Sequence, residues 1–258
     1  MIEKKLRATE IGEFVRFKSC ARRLKLEYNK RSEARSLPFA ERVFNTLDPV
    51  LQEVGREREL QWKKSLDESG YIEIFNGEEL ASEEDRLEGF KTFLTSLSKL
   101  DQTKCYYGRE VPLFGKINNF DIEGRSDFIL INWVNGSPRL KIVECKSSRK
   151  DKTYHKIQIG IYKLVLSNVL EQNEIFVGAE RVSRESLDCV VARVNEDTNE
   201  TQKILDLPNL DLSMEESDIK RILSEGGTVE EIIGKDLSTL DFQLDSKCDS
   251  CVFNVHCL

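Results

Sequence analysis

Leu140-Lys-Ile-Val-Glu-Cys-Lys146, taken with Gly124-Arg-Ser-Asp-Phe-Ile-Leu130 upstream, decides the fold of this 258-residue chain. Both stretches read as strands, and side chains along a strand point to opposite faces in turn. Ile142, Glu144 and Lys146 therefore share one face, while Val143 and Cys145 point to the other and can pack in a core. Asp127 is a single acid at the start of an apolar strand. Pairing of these strands would bring Asp127 and Glu144 to one point with Lys146 beside them.

Two carboxylates and a lysine so placed suit phosphodiester hydrolysis. Hard oxygen ligands hold Mg²⁺ or Mn²⁺ with several waters retained, and such an ion lowers the pKa of bound water and neutralises developing charge. A neighbouring ammonium orients the attacking water or stabilises the transition state. Glu-x-Lys alone is common and reads more readily as exposed charges on a sheet, so its surroundings matter. Gln158 and Tyr162 stand at i and i+4 on an otherwise apolar helix. A polar pair on a buried helix costs about 1–3 kcal/mol per group unless partnered; a DNA phosphate, the catalytic strand or a structural hydrogen bond would each serve. On an earlier helix Leu51, Gly55, Glu59, Trp62 and Leu66 form one stripe in which Glu59 is the single charge. Glu59 is either a third metal ligand or a stripe-edge residue reaching solvent.

Around these residues the pattern is helical for about the first hundred positions. Thr9 is placed to cap a helix carrying Ile11, Phe14 and Val15 towards Cys20. A longer helix runs from about Pro49 to Leu66, and Ser82 with Asp85 forms a capping box before Leu87, Phe90, Leu94 and Leu97. Strand-like runs follow over Glu110–Phe114, Phe120–Asn132, Leu140–Lys146, Ile175–Val182 and Cys189–Val194. Helices are expected from about Lys156 to Leu170 and from Met214 to Leu223. This order predicts a single α/β domain over 1–258: a helical N-terminal part (1–105), a catalytic core (106–195) and a C-terminal tail (196–258).

Net charge is −7, but residues 141–163 hold seven Lys/Arg against two acids, whereas 211–258 holds eleven acids against four bases. That asymmetry suits contact with a polyanion at one place, and equally suits solvated helix faces. No apolar run reaches the ~18 residues of a membrane span, and the N-terminus has no apolar signal region, so a cytoplasmic protein without membrane contact is expected. Cys248-x2-Cys251-x5-Cys257 near the end has metal-ligand spacing but lacks a fourth ligand. Cys20, set among Arg16, Lys18, Arg22, Arg23 and Lys25, is the best distant partner, and His256 is awkwardly adjacent to Cys257. Zinc and an iron–sulfur cluster both accept four thiolates; without metal, these would be buried or redox-active thiols. Cys105, Cys145 and Cys189 read as packing residues.

The order Cys20, Glu59, Gly124-Arg-Ser-Asp127, Glu144-Cys-Lys146, Gln158-Ile-Gly-Ile-Tyr162, Cys248-x2-Cys251-x5-Cys257 resembles the RecB-family PD-(D/E)XK nucleases that carry an iron–sulfur cluster. These include CRISPR-associated RecB-like exonucleases and the nuclease domain of the AddB helicase–nuclease subunit. The resemblance implies a restriction-endonuclease-like core, with a central mixed sheet flanked by helices and a C-terminal cysteine-rich clasp. It implies that Asp127 and Glu144 bind the metal with the main-chain carbonyl of Cys145, that Lys146 is the catalytic lysine, and that Gln158 and Tyr162 serve the active site and DNA. Cys20, Cys248, Cys251 and Cys257 would hold a 4Fe–4S cluster. Many relatives place a histidine ligand a few residues after a glycine on the helix before the strands; Gly55-Arg-Glu-Arg-Glu59 has none, and Glu59 stands as its replacement. His155 lies within reach of DNA rather than on the metal. The expected function is a Mg²⁺/Mn²⁺-dependent deoxyribonuclease, exonuclease rather than endonuclease, acting on single strands or DNA ends in CRISPR adaptation, other antiviral defence or DNA repair. A partner such as a CRISPR integrase complex or a helicase would accompany it. The alternatives are a non-catalytic DNA-end-binding scaffold subunit and a zinc-stapled restriction-type endonuclease.

Overall fold

The computed structural model of the chain describes residues 4–33, 49–195, 198 and 200–257. In chain order the main elements are β1 (Lys5–Arg7), α1 (Ala8–Arg16), α2 (Ala21–Glu33), α3 (Pro49–Glu68), β2 (Ile72–Asn76), α4 (Glu83–Leu97), β3 (Tyr106–Ile117) and β4 (Phe120–Val134). There follow β5 (Ser137–Lys146), α5 (Thr153–Gln172), β6 (Phe176–Val177), β7 (Glu180–Arg181), β8 (Leu187–Arg193), α6 (Ser213–Ile222), α7 (Thr228–Gly234) and α8 (Asn254–Cys257).

Antiparallel β3, β4 and β5 form the centre of a mixed sheet ordered β2-β3-β4-β5-β8, with parallel β2 and β8 at its flanks and β1 parallel to β4. Asn135 and Gly136, both at positive φ (52° and 80°), make the two-residue turn from β4 to β5. Helix α4 starts as its sequence dictates, with Ser82 Oγ accepting from the Asp85 amide at 3.0 Å and Asp85 accepting from the Ser82 amide at 3.2 Å. Helix α1 starts earlier than expected. Arg7 is held extended by β1, its amide donates to the Glu10 carboxylate at 2.8 Å, and Thr9 falls inside the first turn instead of capping it.

The sheet has two covered faces. Leu140, Ile142, Ile129 and Ile131 pack with α5 and α1, whose Ile159, Ile161, Leu166 and Ile11 are fully buried. Val143, Phe128 and Leu130 pack on the opposite face against Trp62 and Leu66 of α3. Each such side chain contributes about 1.5–3 kcal/mol, which is why α5 tolerates so few polar positions. The stripe expected on α3 is thus observed at Trp62 and Leu66, while the side chain of Leu51 lies outside the described residues.

Two expectations need correction. Ile175–Val182 is not a strand of the sheet: Gly178, at φ 60°, folds it into the small β6–β7 hairpin. The first 105 residues are not wholly helical, since they supply β1 and β2 to the central sheet. Cys20 lies between α1 and α2, after a turn in which Lys18 and Ser19 both take positive φ. Ties from α2 and this turn fasten the chain's other end: Lys25 Nζ donates to the Ile233 carbonyl at 2.6 Å, Lys18 pairs with Asp245 at 2.5 Å, and Leu26 packs on Phe253.

Candidate active site

Strand β4 changes partners halfway along. On one edge β1 pairs with Asp121–Glu123, and β5 pairs only from Phe128 onward. Gly124 to Asp127 therefore have no strand beside them on that edge, and the end of β5 and helix α5 close on the gap. Ser126 Oγ bridges it, donating towards the carbonyls of Phe128 (2.9 Å) and Val143 (3.0 Å). Tyr162 of α5 lies close against Gly124, where a β-carbon would sit 2.6 Å from its ring, so only glycine permits this approach.

At the same level the pleat reverses in both central strands. Phe128 and Leu130 face α3, yet Ile122 and Phe120 face the α5 side; Tyr107 faces α3, yet Val111 and Leu113 face the α5 side. Strict alternation would keep residues of like parity together. The break falls between the paired neighbours Arg109↔Phe128 and Val111↔Ser126, leaving Glu110 and Asp127 opposite each other. Glu110 carries the irregularity, at φ 50°. Carboxylate oxygens of Glu59, Glu110 and Asp127 consequently lie within 4.8 Å of one another, the one such set of potential ligands among the described residues.

The residues of β5 and α5 complete the cleft. Glu144 is buried (2% exposed); its Oε1 accepts from Gln158 Nε2 at 2.8 Å and from Lys146 Nζ. Gln158 Nε2 also bonds the Tyr162 hydroxyl at 2.6 Å, and the Arg125 backbone reaches the same hydroxyl. The Cys145 amide donates to Asp127 Oδ2. Glu144 Oε2 is buried and has no hydrogen-bond partner among the described residues. Arg7, Arg86 and Arg125 line the cleft with Asp127, Glu144 and Gln158; Arg125 pairs with Glu110 at 2.6 Å and Arg86 with Glu123 at 2.6 Å.

Crowding dominates the electrostatics. Burial, then the charge of Asp127, pushes Glu110 up to about 7 and raises Glu59. Burial and Asp127 also raise Glu144, against the pull of Lys146. Asp127 itself is raised by burial, although Lys146 and the Cys145 amide oppose this. Burial alone would lower Lys146, but Glu144 and Asp127 hold its ammonium charged well above its ordinary range. Lys146, with Arg125 and Arg109 acting on Glu110 and Glu59, thus faces four carboxylates in a site with a buried lone oxygen. This donor set fits a divalent ion bound by hard oxygens.

The structure therefore gathers Glu59, Asp127, Glu144, Lys146, Gln158 and Tyr162 into one cleft. Glu110 was not singled out by sequence reasoning, although it opens an apolar strand just as Asp127 does. The second expected group also lies together: Cys20, Cys248, Cys251 and Cys257 line one small cavity with Arg22, Arg23 and Phe242, and all four are free thiols. Arg23 Nη1 and the Asp245 amide donate to the sulfurs of Cys251 and Cys248, each at 3.4 Å. Cys189 is buried in the core, and Cys145 packs beside Val143.

A protein-family model described as the PD-(D/E)XK nuclease superfamily matches residues 13–258. No curated protein matches significantly. A solved structure described as the crystal structure of SSO0001 is similar over 98% of this chain and 85% of that chain, with 17% identity and a TM-score of 0.45. The family match spans nearly the whole chain and encloses every carboxylate of the cleft, so this protein belongs to the PD-(D/E)XK nuclease superfamily.

Proposed function

We propose that the protein is a metal-dependent deoxyribonuclease acting on single strands or DNA ends. The observation that carries this reading is the unpartnered Glu144 Oε2 in a cleft where Glu59, Glu110 and Asp127 already converge. Buried carboxylate oxygens are rarely left without a partner, and a divalent cation relieves both the missing partner and the mutual repulsion. Asp127 and Glu144 are the central ligands, with Glu59, Glu110 and the Cys145 carbonyl as further ones. Bound Mg²⁺ or Mn²⁺ would supply an acidified water and neutralise charge on the phosphate. Gln158, itself held by Tyr162, fixes the orientation of Glu144, and Lys146 holds a positive charge where the phosphate oxygens arrive.

The cysteine cavity is proposed to hold a 4Fe–4S cluster that clasps the first helices to the tail. Zinc and a 4Fe–4S cluster both take four thiolates, and the resemblance to RecB-like nucleases favours the cluster. N–H groups aimed at the Cys248 and Cys251 sulfurs are donors of the kind that metal-bound sulfurs accept from. By its resemblance to RecB-like nucleases, exonucleolytic action in CRISPR adaptation or DNA repair is proposed, beside an integrase complex or a helicase. Among the described residues no helix is long and apolar enough to cross a membrane.

The test is cleavage of labelled single- and double-stranded DNA with Mg²⁺ or Mn²⁺. Glu144→Gln and Lys146→Ala should each lower the rate at least about 100-fold, as loss of one electrostatic group at a reacting centre does, with the fold intact by circular dichroism. Undiminished cleavage in both would remove the site. An inert wild type that still binds DNA ends would favour a scaffold subunit. Iron and acid-labile sulfide analysis, against zinc, decides the cysteine centre.

A further inference from the structure

A second cavity, of about 280 Å³, adjoins the carboxylate cleft and shares Gln158 with it. Its walls include Glu13, Arg16, Lys146, Tyr154 and His155. His155 is 3% exposed, and its Nδ1 has no hydrogen-bond partner among the described residues. Arg16 is set in place on two sides: its guanidinium lies 5.3 Å from the Tyr154 ring and donates to Glu13 Oε1 at 2.8 Å. Glu13 is shared by two guanidiniums, its other oxygen accepting from Arg23 at 2.9 Å, so the three groups together carry a net positive charge. The Tyr154 ring in turn packs edge-on against His155, with centroids 4.4 Å apart. Burial, then the charges of Lys146, Arg193 and Lys152 against that of Asp151, pushes His155 down to about 4, which keeps the imidazole neutral, and its unpartnered Nδ1 can carry the donor hydrogen.

A cavity with a fixed guanidinium and a buried neutral donor, opening beside a reacting phosphate, has the chemistry of a second phosphate site. We propose that it binds the phosphate neighbouring the one cleaved, with Arg16 and His155 Nδ1–H as donors to its oxygens and Tyr154 as the wall that positions Arg16. This deepens the nuclease reading and rests on it. The phosphate is either an internal diester or a terminal monoester of the same strand.

Fluorescence anisotropy with a fluorescein-labelled thymidine oligonucleotide, Ca²⁺ replacing Mg²⁺ to hold the strand uncut, tests the site. Arg16→Gln should weaken binding about tenfold and reduce the slope of log affinity against log salt by about 0.7, the value for one single-strand phosphate contact. His155→Gln should weaken binding about fivefold, as loss of one hydrogen bond does, without changing that slope. A single uncharged methylphosphonate linkage next to the cleaved one should abolish the difference between wild type and Arg16→Gln. If removing a terminal phosphate abolishes it instead, the bound group is the monoester. Arg16 is partly exposed, so its substitution should leave the thermal midpoint unchanged even if His155→Gln folds poorly. Wild-type affinity and slope in Arg16→Gln, with cleavage retained, would overturn this site alone. A wild type that neither binds nor cuts DNA would overturn the nuclease reading with it.

Discussion

At Glu110 a backbone irregularity and a charge problem coincide. Its positive φ turns the carboxylate towards Asp127, and burial beside that charge brings it to about 7, from an ordinary value near 4.5. Glu59 and Glu144 are raised for the same reasons. A carboxyl whose folded pKa is raised binds more protons in the folded than in the unfolded chain between the two values, so stability falls as pH rises through that interval. The metal-free protein should therefore lose thermal stability from about pH 4.5 to about pH 8, with the loss complete above the highest folded value. Mg²⁺ or Mn²⁺ binds only the folded, deprotonated site and should offset the loss, raising the midpoint more at pH 8 than at pH 5. Glu110→Gln should flatten the metal-free profile and weaken metal binding by more than the roughly 10–100-fold typical of outer-shell changes. Thermal melts across pH, with and without the ion, check both; a Glu110→Gln profile identical to wild type would remove Glu110 from the site.

Among the elements, the junction of β4 with α5 is the tightest constraint on the cleft. A β-carbon at position 124 would meet Tyr162 Cε1 at 2.6 Å and Cδ1 at 2.9 Å, and Tyr162, buried and hydrogen-bonded to Gln158, has little room to retreat. Gly124→Ala should cost about 1–3 kcal/mol by overpacking and lower cleavage with it, because displacing Tyr162 misplaces Gln158 and Glu144. Melting and single-turnover cleavage on one preparation would show whether the two losses move together. Strands β3 to β5 and helix α5 were legible because each carries a long apolar run, the strands bounded by turn residues and the helix too long to be a strand. Glu59 was legible as the lone charge beside Trp62 and Leu66. By contrast β1, three residues long, carries too little pattern to register, and Gly178 breaks a run that composition alone makes strand-like. Glu110 was missed for a deeper reason. A period-two reading keeps it in phase with Gly108, whereas the pleat reversal that brings it to Asp127 is a property of two paired strands and appears in neither sequence alone.

Over the whole molecule, the cysteine cavity and the second cavity, which adjoins the cleft, are joined by one contiguous set of side chains. Arg23 donates to Cys251 Sγ through Nη1 and to Glu13 through Nη2, Glu13 holds Arg16, and Arg16 stands over Tyr154 beside His155. Arg23 is also clamped between rings, 3.9 Å from Phe17 and 5.6 Å from Phe253, so it is a fixed strut from the tail to α1. Removing it leaves Glu13 half-satisfied and the tail less firmly docked. Arg23→Gln should destabilise the fold by about 2 kcal/mol, the scale of a charged hydrogen bond lost in a partly buried place. It should also weaken DNA binding several-fold through Arg16, without lowering cleavage at saturating DNA. Cys251→Ser, which removes the sulfur at the other end of the strut, should have the same signature and lose bound iron as well. Affinity, saturated rate and iron content measured on both variants separate the possibilities. Weakened affinity with an unchanged saturated rate in both means that the cysteine centre acts on the cleft through Arg23. A drop in Cys251→Ser alone would mean that it acts through the docking of the tail and not through this chain of contacts.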